Sequence, residues 1–143
     1  MLQSAQSNEA RSVAANILLK EIGVQPCGDL QALFWVGEDN SIEWIVGYTA
    51  FIGKTCQMHM VNLKGGYTPK GLLFGAFDYP FNHCGIEKVF GIINSDNVKA
   101  LEYDKKLGFT EALRFNGRHD DGGDLVVLEM NKADCRGIKE RRK

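Results

Sequence analysis

The chain has 143 residues, 44% hydrophobic and 24% charged, enough for one domain around one core. A net charge of -1 gives no global pull toward nucleic acid or an anionic lipid surface, and no apolar run is long enough to cross a bilayer, so neither nucleic acid nor membrane is expected as a partner. Cys27, Cys56, Cys84 and Cys135 form no C-x-x-C pair, which argues against structural zinc. With the polar stretch Met1 to Ala10 where a signal peptide would be apolar, a disulfide framework is not expected either, and the expected compartment is the cytoplasm.

Residues 1–8 are polar and read as a flexible N-terminus, 9–135 as a single domain, and 136–143 as a basic tail in which five Lys and Arg face Glu140 alone. From Glu9 to Ile22 the residues Val13, Ala14, Ile17, Leu18 and Ile22 recur at helical spacing, and Gly23 stops the helix. Ala32–Val36 and Ile42–Phe51 read as a hairpin joined by Gly37-Glu38-Asp39-Asn40, with Cys56–Leu63 as a third strand. In that strand Cys56, Met58 and Met60 share one side, and Gln57, His59 and Val61 the other. A glycine loop at 64–67 leads to a helix with Thr68 as N-cap and Pro69 at its first position, which Pro80 ends or kinks. Ile86–Ile93 suits a strand covered on both faces, and Asn97–Leu107 a helix with Ala100, Leu101, Tyr103 and Leu107 inward, stopped by Gly108. Glu111–Phe115 and Leu125–Met130 form a last hairpin across the turn-rich stretch 119–123. The fold class is α/β (α+β): a mixed, mostly antiparallel sheet with helices on both faces.

The run Asn97-Val-Lys-Ala100-Leu101-Glu-Tyr103-Asp104-Lys-Lys-Leu107-Gly108-Phe109, after a strand and before a hairpin, resembles the late helix of the GCN5-related N-acetyltransferase (GNAT) superfamily. Phe77-Asp78-Tyr79-Pro80-Phe81-Asn82 followed by Gly85-Ile86 is similar to small GNAT-like proteins of tailed phages and their bacterial hosts. The resemblance implies a splayed parallel strand pair flanking the central helix, with acetyl-CoA lying in the gap, and an amine of a small molecule or protein as acceptor. It implies an N-acetyltransferase in the cytoplasm, the host's if phage-encoded, with a homodimer through the final hairpin left open. The alternative is a GNAT-fold binding or assembly protein without catalysis.

A CoA pyrophosphate needs positive charge and free backbone donors, which a helix N-terminus and close-approaching glycines supply. Leu63, Lys64, Gly65, Gly66, Thr68, Lys70 and Gly71 are the candidates here, although the family's Gln/Arg-x-x-Gly-x-Gly/Ala spacing is not reproduced and Pro69 removes one donor. Asn94 and Asn97 are candidate cofactor contacts by the resemblance, or helix caps by the residues alone. Val61, or a residue near it on the strand, is the expected backbone donor to the thioester carbonyl. His59 is the candidate base, with a reference pKa of about 6.5, against the plainer reading of a sheet-surface histidine. Glu43 is a further candidate base, and His83 and His119 are weaker ones. The family's general-acid tyrosine position is occupied by Asp104, with Tyr103 one residue earlier. Asp104 serves as an acid only if its pKa is raised. No metal is expected.

Overall fold

The computed structural model describes residues 1–118, 120 and 122–141. His119 and Asp121 of the last hairpin loop and Arg142 and Lys143 of the basic tail lie outside the described residues. The elements are β1 (Leu2–Ser4), α1 (Asn8–Ile22), β2 (Gln31–Val36), β3 (Ile42–Ile52), β4 (Thr55–Asn62), α2 (Lys70–Asp78), β5 (Lys88–Asn94), α3 (Val98–Leu107), β6 (Thr110–Phe115), β7 (Leu125–Asn131) and α4 (Arg136–Arg141). They build one seven-stranded sheet in the order β1-β2-β3-β4-β5-β7-β6, in which only β4 and β5 run parallel. That pair needs a crossover, and α2 supplies it.

Two apolar layers hold the sheet. On one face Ala14 and Leu18 of α1 pack on Ala32, Phe34, Ile45 and Val61. On the other, Leu72, Ala76 and Phe77 of α2, Leu107 behind them and Ile138 of α4 pack on Val46, Tyr48, Cys56, Val89 and the β7 row Val126, Leu128, Met130. β4 divides between the layers as its alternation dictates, Cys56 to the α2 side and Val61 to the α1 side. The Tyr48 hydroxyl, buried in this core, donates to the Ala76 carbonyl of α2. Pro80 ends α2 as its missing N–H requires: a π-helical turn, Tyr79–His83, follows, with Cys84 N–H donating to Tyr79 O at 3.1 Å.

Five expectations are corrected. The N-terminus is not loose throughout, because Leu2–Ser4 pairs with Leu33–Trp35 as an edge strand. A three-residue edge is held by backbone bonds and carries no apolar period to read. Val13 and Ile22 face solvent, and only Ala14 and Leu18 of α1 are fully buried. α2 begins at Lys70 with Pro69 in the cap position, so Thr68 is not the cap. β5 is covered on one face only: Val89 is buried and Ile92 is 43% exposed. The tail is helical from Arg136, and Cys135 and Ile138 are buried, so the packed unit runs past residue 135. Among the described residues no helix is long and apolar enough to cross a membrane.

Candidate active site

The parallel ladder between β4 and β5 joins Thr55 to Lys88, Cys56 to Val89 and Gln57 to Phe90, and goes no further. Beyond it β4 stays on β3 and β5 stays on β7, so a gap opens through the sheet toward the C-terminal ends of both strands. Strand N–H groups alternate between neighbours. Leu63 donates to Glu43 O at 2.8 Å, so Val61, in step with it, turns its N–H to β3, and Met60 turns its own into the gap. The Val61 N–H is therefore turned away from the gap, and the Met60 N–H, one residue earlier, is turned into it. On β5, Lys132 donates to Glu87 O at 2.9 Å, which by the same alternation aims the peptide groups of Ile92 at the gap. Two strand edges facing each other without pairing can take an extended amide-bearing chain between them.

The loop at the mouth of this gap is built by Asn62, which sequence reasoning missed. Its Oδ1 accepts from Lys64 N at 3.2 Å and Gly65 N at 2.8 Å, and its Nδ2 donates to Gly66 O. An Asn ahead of Gly-Gly is an Asx-turn signal that would have found it. Gly65 and Gly66 hold φ 88 and 84, which a side chain tolerates poorly. Two expected phosphate donors are thus engaged elsewhere: Gly65 N–H on Asn62, and the Lys64 ammonium on Glu43 at 3.1 Å. That ion pair also occupies Glu43, the further candidate base. The N-terminus of α2 has no side-chain cap, and the N–H groups of Lys70, Gly71 and Leu72 open its first turn. Gly71 lets this turn approach Trp35, whose ring would lie 3.3 Å from an added Cβ.

Thr68 Oγ1 and Tyr103 OH share a hydrogen bond at 2.7 Å, tying the loop to α3. Tyr103 therefore faces outward rather than into the core, and is 37% exposed. The inward stripe of α3 is Ala100, Leu101, Asp104 and Leu107, linked by steps of three and four residues. Burial pushes the Asp104 carboxyl up to about 6. Asn97 caps α3, its Oδ1 accepting from Ala100 N at 3.3 Å, and Asn94 Oδ1 accepts from Asp96 N at 3.0 Å, so both asparagines order the turn after β5.

His59 lies on the α1 side of β4, past the last β4–β5 pair, with Nε2 2.8 Å from Thr49 Oγ1. Burial pushes it down to about 4. It is neutral near pH 7 and a weak proton acceptor. The unfolded chain takes up a proton at this histidine below about pH 6.5 while the folded one resists until about 4, so its contribution to stability is lost as pH falls through that window. Between about pH 7 and pH 4, wild type should lose on the order of 2 kcal/mol more than His59→Gln in urea unfolding. Parallel curves for the two proteins would refute the burial argument. His83 pairs with Asp78 at 3.0 Å on the surface, away from the gap. Among the described residues no group of three or more His, Cys, Asp or Glu could hold a metal ion.

No protein-family model and no curated protein sequence matches the chain. Solved structures do. A spermidine N-acetyltransferase from Vibrio cholerae, in complex with CoA and spermine, superposes with a TM-score of 0.72 over 94% of this chain and 96% of that one, at 13% identity. An N152L mutant of the same bacterium's spermidine N-acetyltransferase SpeG gives 0.76 over 100% and 98%, at 12% identity. SpeG in complex with manganese ions gives 0.73 over 100% and 96%, also at 12%. Likeness over the full chain at such low identity establishes architecture, and with the splayed β4–β5 pair it leads to one conclusion: the chain has the GNAT fold.

Proposed function

We propose that the chain transfers an acetyl group from acetyl-CoA to a primary amine. The observation that carries this reading is the gap between β4 and β5, edged by unpaired backbone and closed at its mouth by an uncapped helix N-terminus. A protein of the same fold was solved with CoA and spermine, which supports the cofactor class. When bound, acetyl-CoA supplies an activated acyl group as a thioester and a thiol as leaving group. Lys70, Gly71 and Leu72, with Gly66, hold the pyrophosphate by backbone N–H and the Lys70 charge. Met60 N–H polarises the carbonyl in the gap. Asp104 supplies the proton for the departing thiolate. His59 is too weak a base to hold the amine's proton; it accepts a hydrogen bond from the amine and orients it, and water carries the proton away. A cytoplasmic setting is part of this proposal.

Titration with acetyl-CoA tests it. At a hundred times its dissociation constant the ligand should raise stability by about 2.7 kcal/mol, seen as a thermal shift. The second reading, a binding or assembly protein without catalysis, is favoured by the engagement of Gly65 N–H and Lys64 elsewhere. Absence of any shift at millimolar acetyl-CoA would select it.

A further inference from the structure

We propose that the acceptor is a primary amine carried on an apolar body, which lies on the uncovered face of β5, β7 and β6; this deepens the acetyl-transfer reading and rests on it. The register aligns three rows of side chains on that face: Phe90–Glu129–Thr110, Ile92–Val127–Leu113 and Asn94–Leu125–Phe115. Ile92, Leu113 and Phe115 are 43%, 51% and 47% exposed. The opposite face of β5 and β7, with Val89, Val126, Leu128 and Met130, is sealed by the layer that contains α2 and α4. Among the described residues α1 is the one helix on the open side, and its buried residues pack on β2, β3 and β4.

The gap through the sheet therefore has one side filled by protein and one side open, and an acceptor reaches it from the open side. Ile92 belongs to both, with its peptide groups at the gap and its side chain in the middle apolar row. The apolar face is continuous with the place where the acyl group would be held. Its charge excludes a polycation. Glu129 is the one carboxylate in the three rows, and Lys88 already neutralises it at 2.9 Å. His59, across the gap, stays neutral. A surface with no free negative charge disfavours an ammonium and favours the neutral, nucleophilic amine. The step balances between the two substrates: the N–C bond forms, the C–S bond breaks, and the nitrogen's proton is matched by the one taken by the thiolate.

The test is a panel of n-alkylamines from butylamine to heptylamine, phenethylamine and spermidine, read by thiol release, with acetyl-CoA affinity measured by calorimetry on the same samples. Wild type should gain about fourfold in kcat/KM for each added methylene, and spermidine should be about tenfold or more poorer than heptylamine. Leu113→Ser and Phe115→Ser should flatten the series without changing acetyl-CoA affinity, and Leu113→Met should retain it. Leu113 is half-exposed on an edge strand, so its replacement leaves the core intact. Spermidine equal to heptylamine, or a series that is flat in wild type, overturns the inference and leaves acetyl transfer standing. Tight acetyl-CoA binding with no turnover on any amine of the panel overturns it as well. A wild-type dimer that Leu113→Ser converts to monomer, with no change in amine preference, gives the face to a second copy instead. Failure to bind acetyl-CoA removes the acetyl-transfer reading and this inference together.

Discussion

Asp104→Asn should lower kcat by about a hundredfold or more and, at neutral pH, make the protein more stable by on the order of 1–2 kcal/mol. The two effects have one cause. Asp104 stands on the inward stripe of α3, and burial raises its pKa to about 6. The unfolded chain releases this proton near pH 4 and the folded chain near 6, so the contribution to stability is full below about 4 and is lost as pH rises through 6. At pH 7 the folded state carries a poorly solvated carboxylate, and asparagine removes that cost while keeping the shape. The full linkage would be larger; partial exposure to water discounts it. The same raised pKa makes the group useful, since a carboxyl near 6 holds a proton often enough to give it to a thiolate, and a ligand filling the gap would remove more water and push it further up.

The measurements are kcat against pH and urea unfolding of the same variants. Wild-type kcat should fall as pH rises through about 6 to 7, and that limb should vanish in Asp104→Asn and partly return in Asp104→Glu. An asparagine variant that keeps full rate and the same pH profile removes Asp104 from the chemistry, whatever its stability. The unfolding data carry a second reading. His59 loses stability on acidification between about pH 6.5 and 4, and Asp104 gains it between about 6 and 4, so in wild type the two offset. Asp104→Asn alone should therefore be more acid-sensitive than wild type, and His59→Gln alone less so.

Much of the scaffold was legible because its signals are local. The 3.6-residue period of α3, the switch to alternation in β4 and the stops at Gly23 and Gly108 each follow from one stretch of chain. Covering of the faces was not legible. Ile86 to Ile93 is apolar enough for a strand buried on both sides, yet Ile92 is exposed, because whether a helix lies over it depends on where α1 ends up on the sheet. Tyr103 shows the same limit at smaller scale: an aromatic residue in a helix reads as core, but its hydroxyl is held outward by Thr68, 35 residues away. At the site, the sequence pointed to the loop and the strand pair but not to the partners their donors already have. Lys64 and Gly65 have the right chemistry for phosphate, and only the fold brings Glu43 to the first; Asn62 takes the second. Val61 and Met60 could be told apart only by the hydrogen-bond phase of β4 against β3, which Leu63 and Glu43 fix.

Gly108→Ala should cost about 3 kcal/mol and lower Tm by about 10 °C. Gly108 ends α3 at φ 119, in the left-handed region, with its own N–H donating to Lys105 O and the next, Phe109 N–H, to Asp104 O at 3.0 Å. A Cβ there would lie 2.5 Å from the Asp134 carbonyl oxygen, which is backbone and has no rotamer to change. Gly85→Ala is the control. It has φ 68 but open space around an added Cβ, so it should cost about 1 kcal/mol, the conformational part alone. Equal losses in the two variants would show that backbone conformation, and not the contact with Asp134, sets the penalty. The contact also predicts where the damage goes. Asp134 leads through the buried Cys135 into α4, whose Gly137 sits close to the Phe77 ring of α2. Relief of the clash by moving Asp134 should lift α4 and let a thiol reagent reach Cys135, located by mass spectrometry, whereas relief by moving Gly108 should disturb the end of α3 and Asp104. A Gly108→Ala protein with Cys135 labelled and kcat retained would identify the first route; one with Cys135 protected and kcat reduced would identify the second.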